Sequence, residues 1–340
     1  MDFDFTEDQY ALRDLARDVF AKESSPARLR EVWEADGERD PRVWKTLADV
    51  GLLGLTVAEE HGGLGGDATD VALVLEEAGR AALPEPFLET VAIAAPMLAR
   101  FGTDRHRTEW LPRIAAGDAI ATVRPPDSPF AVDADVANSF IILDEAGDAR
   151  LVVGERLAGR RVPSEDRARR LFEFAGGTGG DRMAPGAAAY LTRVGAVATA
   201  NLLNGVSLRL LESTVEYVKG REQFGRAVGS FQAVKHKLAT VHTELEAARS
   251  SAWYAAYAIA NDLPDADRAA GVAKATANEA AALANREALQ CHAGIGFTWE
   301  HDLHLWLKRG KALEGTWGTA REHRATLAAG LFDEDEEGGP

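Results

Sequence analysis

The chain has 340 residues, a formal net charge of −16, 46% hydrophobic residues and one cysteine, Cys291. That length suits two or three domains with sizeable cores, the acidity argues against a broad nucleic-acid-binding face, and one thiol excludes a disulfide framework or a cysteine metal site. No uninterrupted run of about 18 apolar residues predicts a membrane span, and the start Met1-Asp-Phe-Asp-Phe-Thr-Glu has no signal-peptide character, so a cytoplasmic protein is expected.

The first stretch, residues 1–117, reads as helical. Thr6 followed by Tyr10, Leu12, Leu15, Val19 and Phe20 marks a capped amphipathic helix. Val43 to Leu52 predicts a second, and Val71 to Ala81 and Phe87 to Arg100 predict two more, with Pro84 and Pro86 between them. Glu59-Glu-His-Gly-Gly-Leu-Gly-Gly66 reads as a tight loop. Residues 118–184 change character. Ile120–Val123, Phe140–Leu143, Leu151–Val153 and Leu171–Phe174 are short β-type runs separated by polar turns, including Gly176-Gly-Thr-Gly-Gly180. Residues 185–331 return to helix, in four long patterns that predict a four-helix bundle. Residues 332–340, rich in Asp and Glu, read as a disordered acidic tail. The fold class is therefore mainly α with a small middle β-domain.

One corner of the bundle carries polar chemistry. Between the first two bundle helices stands Arg221-Glu-Gln-Phe-Gly225, followed by Phe231-Gln232. Arg is the side chain best shaped to hold a phosphate through two parallel hydrogen bonds, and a Gln at the next helix start adds a donor. Taken alone, the same residues also describe a surface Arg at a helical turn. His292, His301 and His304 do not form a ligand set, because no carboxylate or cysteine completes one, and no metal site is expected.

Arg221-x-Gln223-Phe224-Gly225 with Phe231-Gln232 resembles the signature of the acyl-CoA dehydrogenase family. The resemblance extends to residues 44–65 and to Gln290-Cys-His-Ala-Gly-Ile-Gly-Phe297. It implies an N-terminal helical domain, a middle β-domain, here shorter than usual, and a C-terminal four-helix bundle. It also implies FAD as cofactor, acyl-CoA as substrate and an electron-transfer flavoprotein as acceptor. A family member removes an α-proton from the thioester with a Glu and passes a hydride from the β-carbon to the flavin. By the resemblance, Arg221, Gln223, Phe224, Gln232, Gln290, Ala293 and Gly294 correspond to groups holding the ADP part of a neighbouring subunit's FAD. Thr319 corresponds to a further flavin contact, and Ala293 replaces the first of two usual glycines.

The chemistry-bearing half departs from the family pattern. Arg124 stands where a Glu of the flavin platform is expected, and the following Gly-Ser pair is missing. Glu314-Gly315-Thr316 looks like the catalytic Glu-Gly-Thr, but counting without a gap from Gln290 places that motif on Trp317-Gly318-Thr319. Indole offers only an N–H donor and takes no proton. Some members carry the base on the first bundle helix, where this chain has Gly195; the Asp and Arg usual near CoA are Arg193 and Ala196 here. The expectation is a catalytically incomplete subunit, similar to those of actinobacterial α2β2 enzymes of sterol side-chain degradation, paired with a second acyl-CoA dehydrogenase subunit. A self-sufficient homo-oligomer using Glu314 and a scaffold without flavin are the alternatives.

Overall fold

The protein is described here by a computed structural model covering residues 4–126, 128–154, 158–174 and 179–337. The N-terminal region holds α1 (Glu7–Glu23), α2 (Pro26–Glu34), α3 (Pro41–Asp49), α4 (Ala68–Arg80), α5 (Ala95–Phe101) and α6 (Asp104–Ala115). Thr6 caps α1 through the expected reciprocal box with Gln9. The sequence reading passed over α2 and α6, although Ser25 and Thr103 cap them with side-chain hydrogen bonds. Residues 59–66 form a tight turn, as expected, and Leu88–Ala94 is a π-helical stretch leading into α5. Pro96 cannot donate a backbone hydrogen bond, which favours a shifted ladder just before it.

The middle region is two small sheets. One has the order β1 (Ala121–Val123), β3 (Ser139–Leu143), β4 (Ala149–Val153), β7 (Asp181–Arg182); the other has β2 (Phe130–Val132), β6 (Leu171–Phe174), β5 (Ala158–Val162). Most of the glycine turn at 176–180 lies outside the described residues. Ala131, Phe140, Ile142, Val152 and Phe172 build a separate core between the sheets.

The C-terminal region packs α7 (Ala187–Gly220), α8 (Gln232–Ala260) and α9 (Ala266–His292) side by side. The fourth bundle element is divided into α10 (Leu303–Glu314) and α11 (Ala320–Glu337). α11 extends through Glu337, so residues 333–337 are helical rather than a disordered tail. Extending an existing helix costs far less than starting one, and Glu is a good helix former. Residues 338–340 lie outside the described set. α7 is long and apolar enough to cross a membrane by length and composition, yet 89% of its most apolar window is buried inside the protein, as befits a central core helix.

Two glycines seat α7 against the N-terminal region. A methyl group on Gly205 would lie 1.9 Å from the Glu76 carbonyl oxygen, and one on Gly79 would lie 2.0 Å from that of Leu202. α4 and α7 therefore touch backbone to backbone.

A buried ionic cluster joins all three regions. Arg39 meets Asp133 at 2.5 Å, Arg169 lies 3.5 Å from Glu89, and Arg170 reaches Asp135 at 2.9 Å. Arg309 on α10 pairs with Asp166 and donates to the Leu83 carbonyl at 2.9 Å. These contacts fix the position of the crevice between the β-sheets and α10.

Candidate functional site

The Arg221 corner is a two-stranded hairpin, β8 (Glu222–Gln223) and β9 (Arg226–Ala227), inserted between α7 and α8. Its two turn residues, Phe224 and Gly225, both have positive φ, 53° and 75°. A tight hairpin needs this geometry, which glycine accepts freely and an aromatic residue does not. The conformation leaves Phe224 93% exposed. Arg226 lies 3.9 Å over the Phe231 ring and stiffens the base of the hairpin.

Arg221 is exposed, and its side chain has no partner among the described residues; the same holds for Gln232 and Gln290. The Arg221 amide donates to the Tyr217 carbonyl at 2.9 Å. One turn back, the Tyr217 ring stacks on His292 at 4.3 Å, and His292 ends α9 immediately before Ala293 and Gly294. Tyr217 thus ties the hairpin to the glycine loop. Gln223 is also exposed, but its amide is turned back onto the Glu222 carbonyl at 2.7 Å. Ala293 has φ 52° and ψ −138°, a conformation natural to glycine, so alanine is held there under strain. At Gly294 no atom lies within 4 Å of where a Cβ would stand. The donor set of guanidinium, carboxamides and open loop backbone fits a pyrophosphate and its ribose approaching from outside.

The crevice between the sheets and α10 is different. Trp317 is 4% exposed and has φ 59°. Its indole lies flat against Gly195: a Cβ there would come within 2.4 Å of the ring. The two positions where a base was sought, one on α7 and one after α10, are thus neighbours in space. Indole fills the volume that a carboxylate from either position would need. The 315–319 corner is pinned by Lys274 and Asn278, which donate to the Gly318 carbonyl at 3.1 and 3.3 Å. A lysine inside the alanine-rich α9 was the signal the sequence reading left unused.

Arg124 turns inward, donating to the Leu143 carbonyl at 2.9 Å with its guanidinium 5.6 Å over Phe174. Its backbone amide is spent on Ile141. The Arg124 backbone amide and one terminal guanidinium nitrogen are therefore committed within the β-domain, and its Nε is buried without a partner. Pro125, Ser128, Phe130, Arg169, Thr316 and Trp317 line what remains, a crevice of about 420 Å3.

Glu314 ends α10 paired with Lys311 at 2.7 Å and is not part of that crevice wall. Thr319 caps α11, its hydroxyl and amide both 2.8 Å from the Glu322 carboxylate. Arg193 is held by Asp267 at 2.8 Å. The three histidines serve as packing rings. His292 meets His301 edge to face at 4.8 Å, and His304 stacks on Trp33 at 5.4 Å, its pKa pushed down to about 4, chiefly by burial. Among the described residues no three metal-ligating side chains gather.

Residues 6–118 match the family profile "Acyl-CoA dehydrogenase, N-terminal domain", and residues 187–332 match "Acyl-CoA dehydrogenase, C-terminal domain". Acyl-CoA dehydrogenase IpdE2 of Mycolicibacterium smegmatis is 34% identical over 96% of this chain and 100% of its own length. The solved ChsE4-ChsE5 complex from Mycobacterium tuberculosis contains a chain with TM-score 0.90 and 26% identity, covering both chains fully. A structure of the Tcur3481-Tcur3483 steroid ACAD gives TM-score 0.90 and 28% identity over 97% of this chain and 99% of that one. The chain belongs to the acyl-CoA dehydrogenase family.

Proposed function

We propose that this chain is the catalytically incomplete subunit of a heteromeric acyl-CoA dehydrogenase. A second subunit supplies the flavin platform, the base and the acyl-CoA pocket; this chain completes the partner's FAD site. Arg221, Gln232, Gln290 and the Gly294 loop hold the pyrophosphate and ribose, and Phe224 packs at the interface. Held there, FAD would supply the hydride acceptor for the α,β-dehydrogenation of an acyl-CoA thioester, and an electron-transfer flavoprotein would be the onward electron acceptor. The observation that carries this reading is the contact of Trp317 with Gly195, which fills one site while the Arg221 corner stays open. Similarity to the Tcur3481-Tcur3483 steroid ACAD and to the ChsE4-ChsE5 complex supports a steroid-derived acyl group and a heteromer.

The chain purified alone is expected to retain little FAD, and the complex with its partner about one flavin per heterodimer. A yellow lone chain with one FAD per protomer would favour the homo-oligomer instead. In the heteromer, Arg221→Ala removes a charge-assisted contact worth about 1.5–3 kcal/mol, or roughly one to two decades of FAD affinity. Arg221→Lys recovers part of it, since an ammonium cannot reproduce the fork. Equal flavin dissociation constants for wild type and Arg221→Ala would return this corner to a plain surface turn and favour the flavin-free scaffold.

Glu314→Gln is expected to leave heteromer turnover unchanged. Loss of a general base costs a factor of about 10² to 10⁴, so a fall of that size would identify Glu314 as the base and refute the assignment of Trp317 to the motif position.

A further inference from the structure

A second cavity, of about 230 Å3, lies between α4, α5, α7 and α8. Its walls include Val71, Leu75, Pro96, Val194, Ala198 and Ile259, and no β-domain residue contributes. It uses a face of α7 about 100° around the helix from Gly195, so the Trp317 contact lies on a different side. It shares no residue with the Arg221 corner.

Among the polar members of this lining, one stands out. Asn201 is 1% exposed; its side-chain amide donates to the Val197 carbonyl at 2.9 Å, and its Oδ1 has no hydrogen-bond partner. A buried acceptor without a donor is costly, and a leucine of similar shape here would carry no such cost. Lone water is a poor occupant, because a buried water needs two to four polar partners. The nearby hydroxyl of Thr56 is committed to the Val91 carbonyl at 2.7 Å, and Asp67 caps α4. At the mouth, Arg100 is held by Asp262 at 2.7 Å and lies 5.1 Å over the Tyr190 ring.

We propose that this cavity binds a compact hydrocarbon carrying a single hydroxyl group, whose O–H donates to Asn201 Oδ1 while the carbon frame fills the apolar walls. A cavity of roughly 150 Å3 accepts benzene, so this one has room for about nine non-hydrogen atoms. The site does not depend on the assigned subunit role.

The test titrates the full-length chain with benzyl alcohol and with toluene, a pair of similar shape that differs in the hydroxyl. Saturable one-site binding is expected, at least fivefold tighter for benzyl alcohol. Ala198→Phe fills the cavity and should abolish both. Asn201→Leu should bring the ratio to one or below while toluene still binds. Should Ala198→Phe fail to fold, Ala198→Leu and a crystal soaked in benzyl alcohol locate the ligand instead. The proposal is overturned by an absence of saturable benzyl alcohol binding, by binding that survives the cavity-filling change, by density showing water only, or by a preference that persists in Asn201→Leu.

Discussion

Arg309→Met is expected to destabilise the chain by about 3–5 kcal/mol in equilibrium denaturation. Arg309 is 4% exposed and Asp166 is 1% exposed. Removing the guanidinium leaves the Asp166 carboxylate buried beside its remaining bond from the Ala168 amide, and leaves the Leu83 carbonyl without its 2.9 Å donor. Breaking one partner of a buried pair costs that much because the orphaned charge cannot be resolvated. Adding Asp166→Asn to Arg309→Met removes the orphaned charge and should recover most of the loss; the asparagine oxygen still accepts from Ala168. If the single variant loses less than about 1 kcal/mol, or the double variant recovers nothing, the pair does not hold the three regions together. Arg309 comes from the C-terminal bundle, Asp166 from the β-domain and Leu83 from the N-terminal helices, so their contact joins the three regions.

Local signals carried much of the fold. The helix cap at Thr6, the long helical patterns of α7 and α8, and the short β-type runs of β3 and β4 are each properties of neighbouring residues, and each appears where expected. α2 and α6 were harder to see. Their helices are short and nearly half charged, so few apolar residues follow the caps Ser25 and Thr103. Residues 333–337 misled for another reason: composition reports charge, whereas helix continuation depends on what precedes it. At the candidate site, motif order located Arg221, Gln232 and the Gly294 loop because those residues act through their type and spacing. The contact of Trp317 with Gly195 was not legible, because 122 positions separate them and only the fold makes them neighbours. The inward turn of Arg124 escaped for the same reason; its partners, the Leu143 carbonyl and the Phe174 ring, come from other strands.

Glu85→Gln is expected to stabilise the chain by up to about 3 kcal/mol at pH 8 and by almost nothing near pH 4. The Glu85 side chain is 4% exposed, and burial raises its carboxyl from the usual 4.5 to about 7, against the attraction of Arg39 at 4.0 Å. A carboxyl whose folded pKa exceeds its unfolded value binds more protons folded than unfolded across the interval between them. Stability therefore falls as pH rises from about 4.5 to about 7, and the ionised form is penalised above that range. A difference of some 2.5 pKa units corresponds to about 3 kcal/mol. Glutamine keeps the shape and removes the charge, so the variant should lack this slope. Arg39 keeps its closer partner, Asp133 at 2.5 Å. Other carboxylates, such as Asp40, held down to about 2 chiefly by Arg42, impose slopes of the opposite sign at lower pH. The quantity to measure is therefore the difference in unfolding free energy between wild type and Glu85→Gln at each pH. A difference that is flat from pH 4 to pH 8 would show that Glu85 titrates alike in the folded and unfolded chain, with Arg39 compensating its burial in full. A difference that grows across that window would place a titrating carboxyl inside the ionic cluster that joins the three regions, so that the interface supporting the crevice tightens as the solution becomes more acidic.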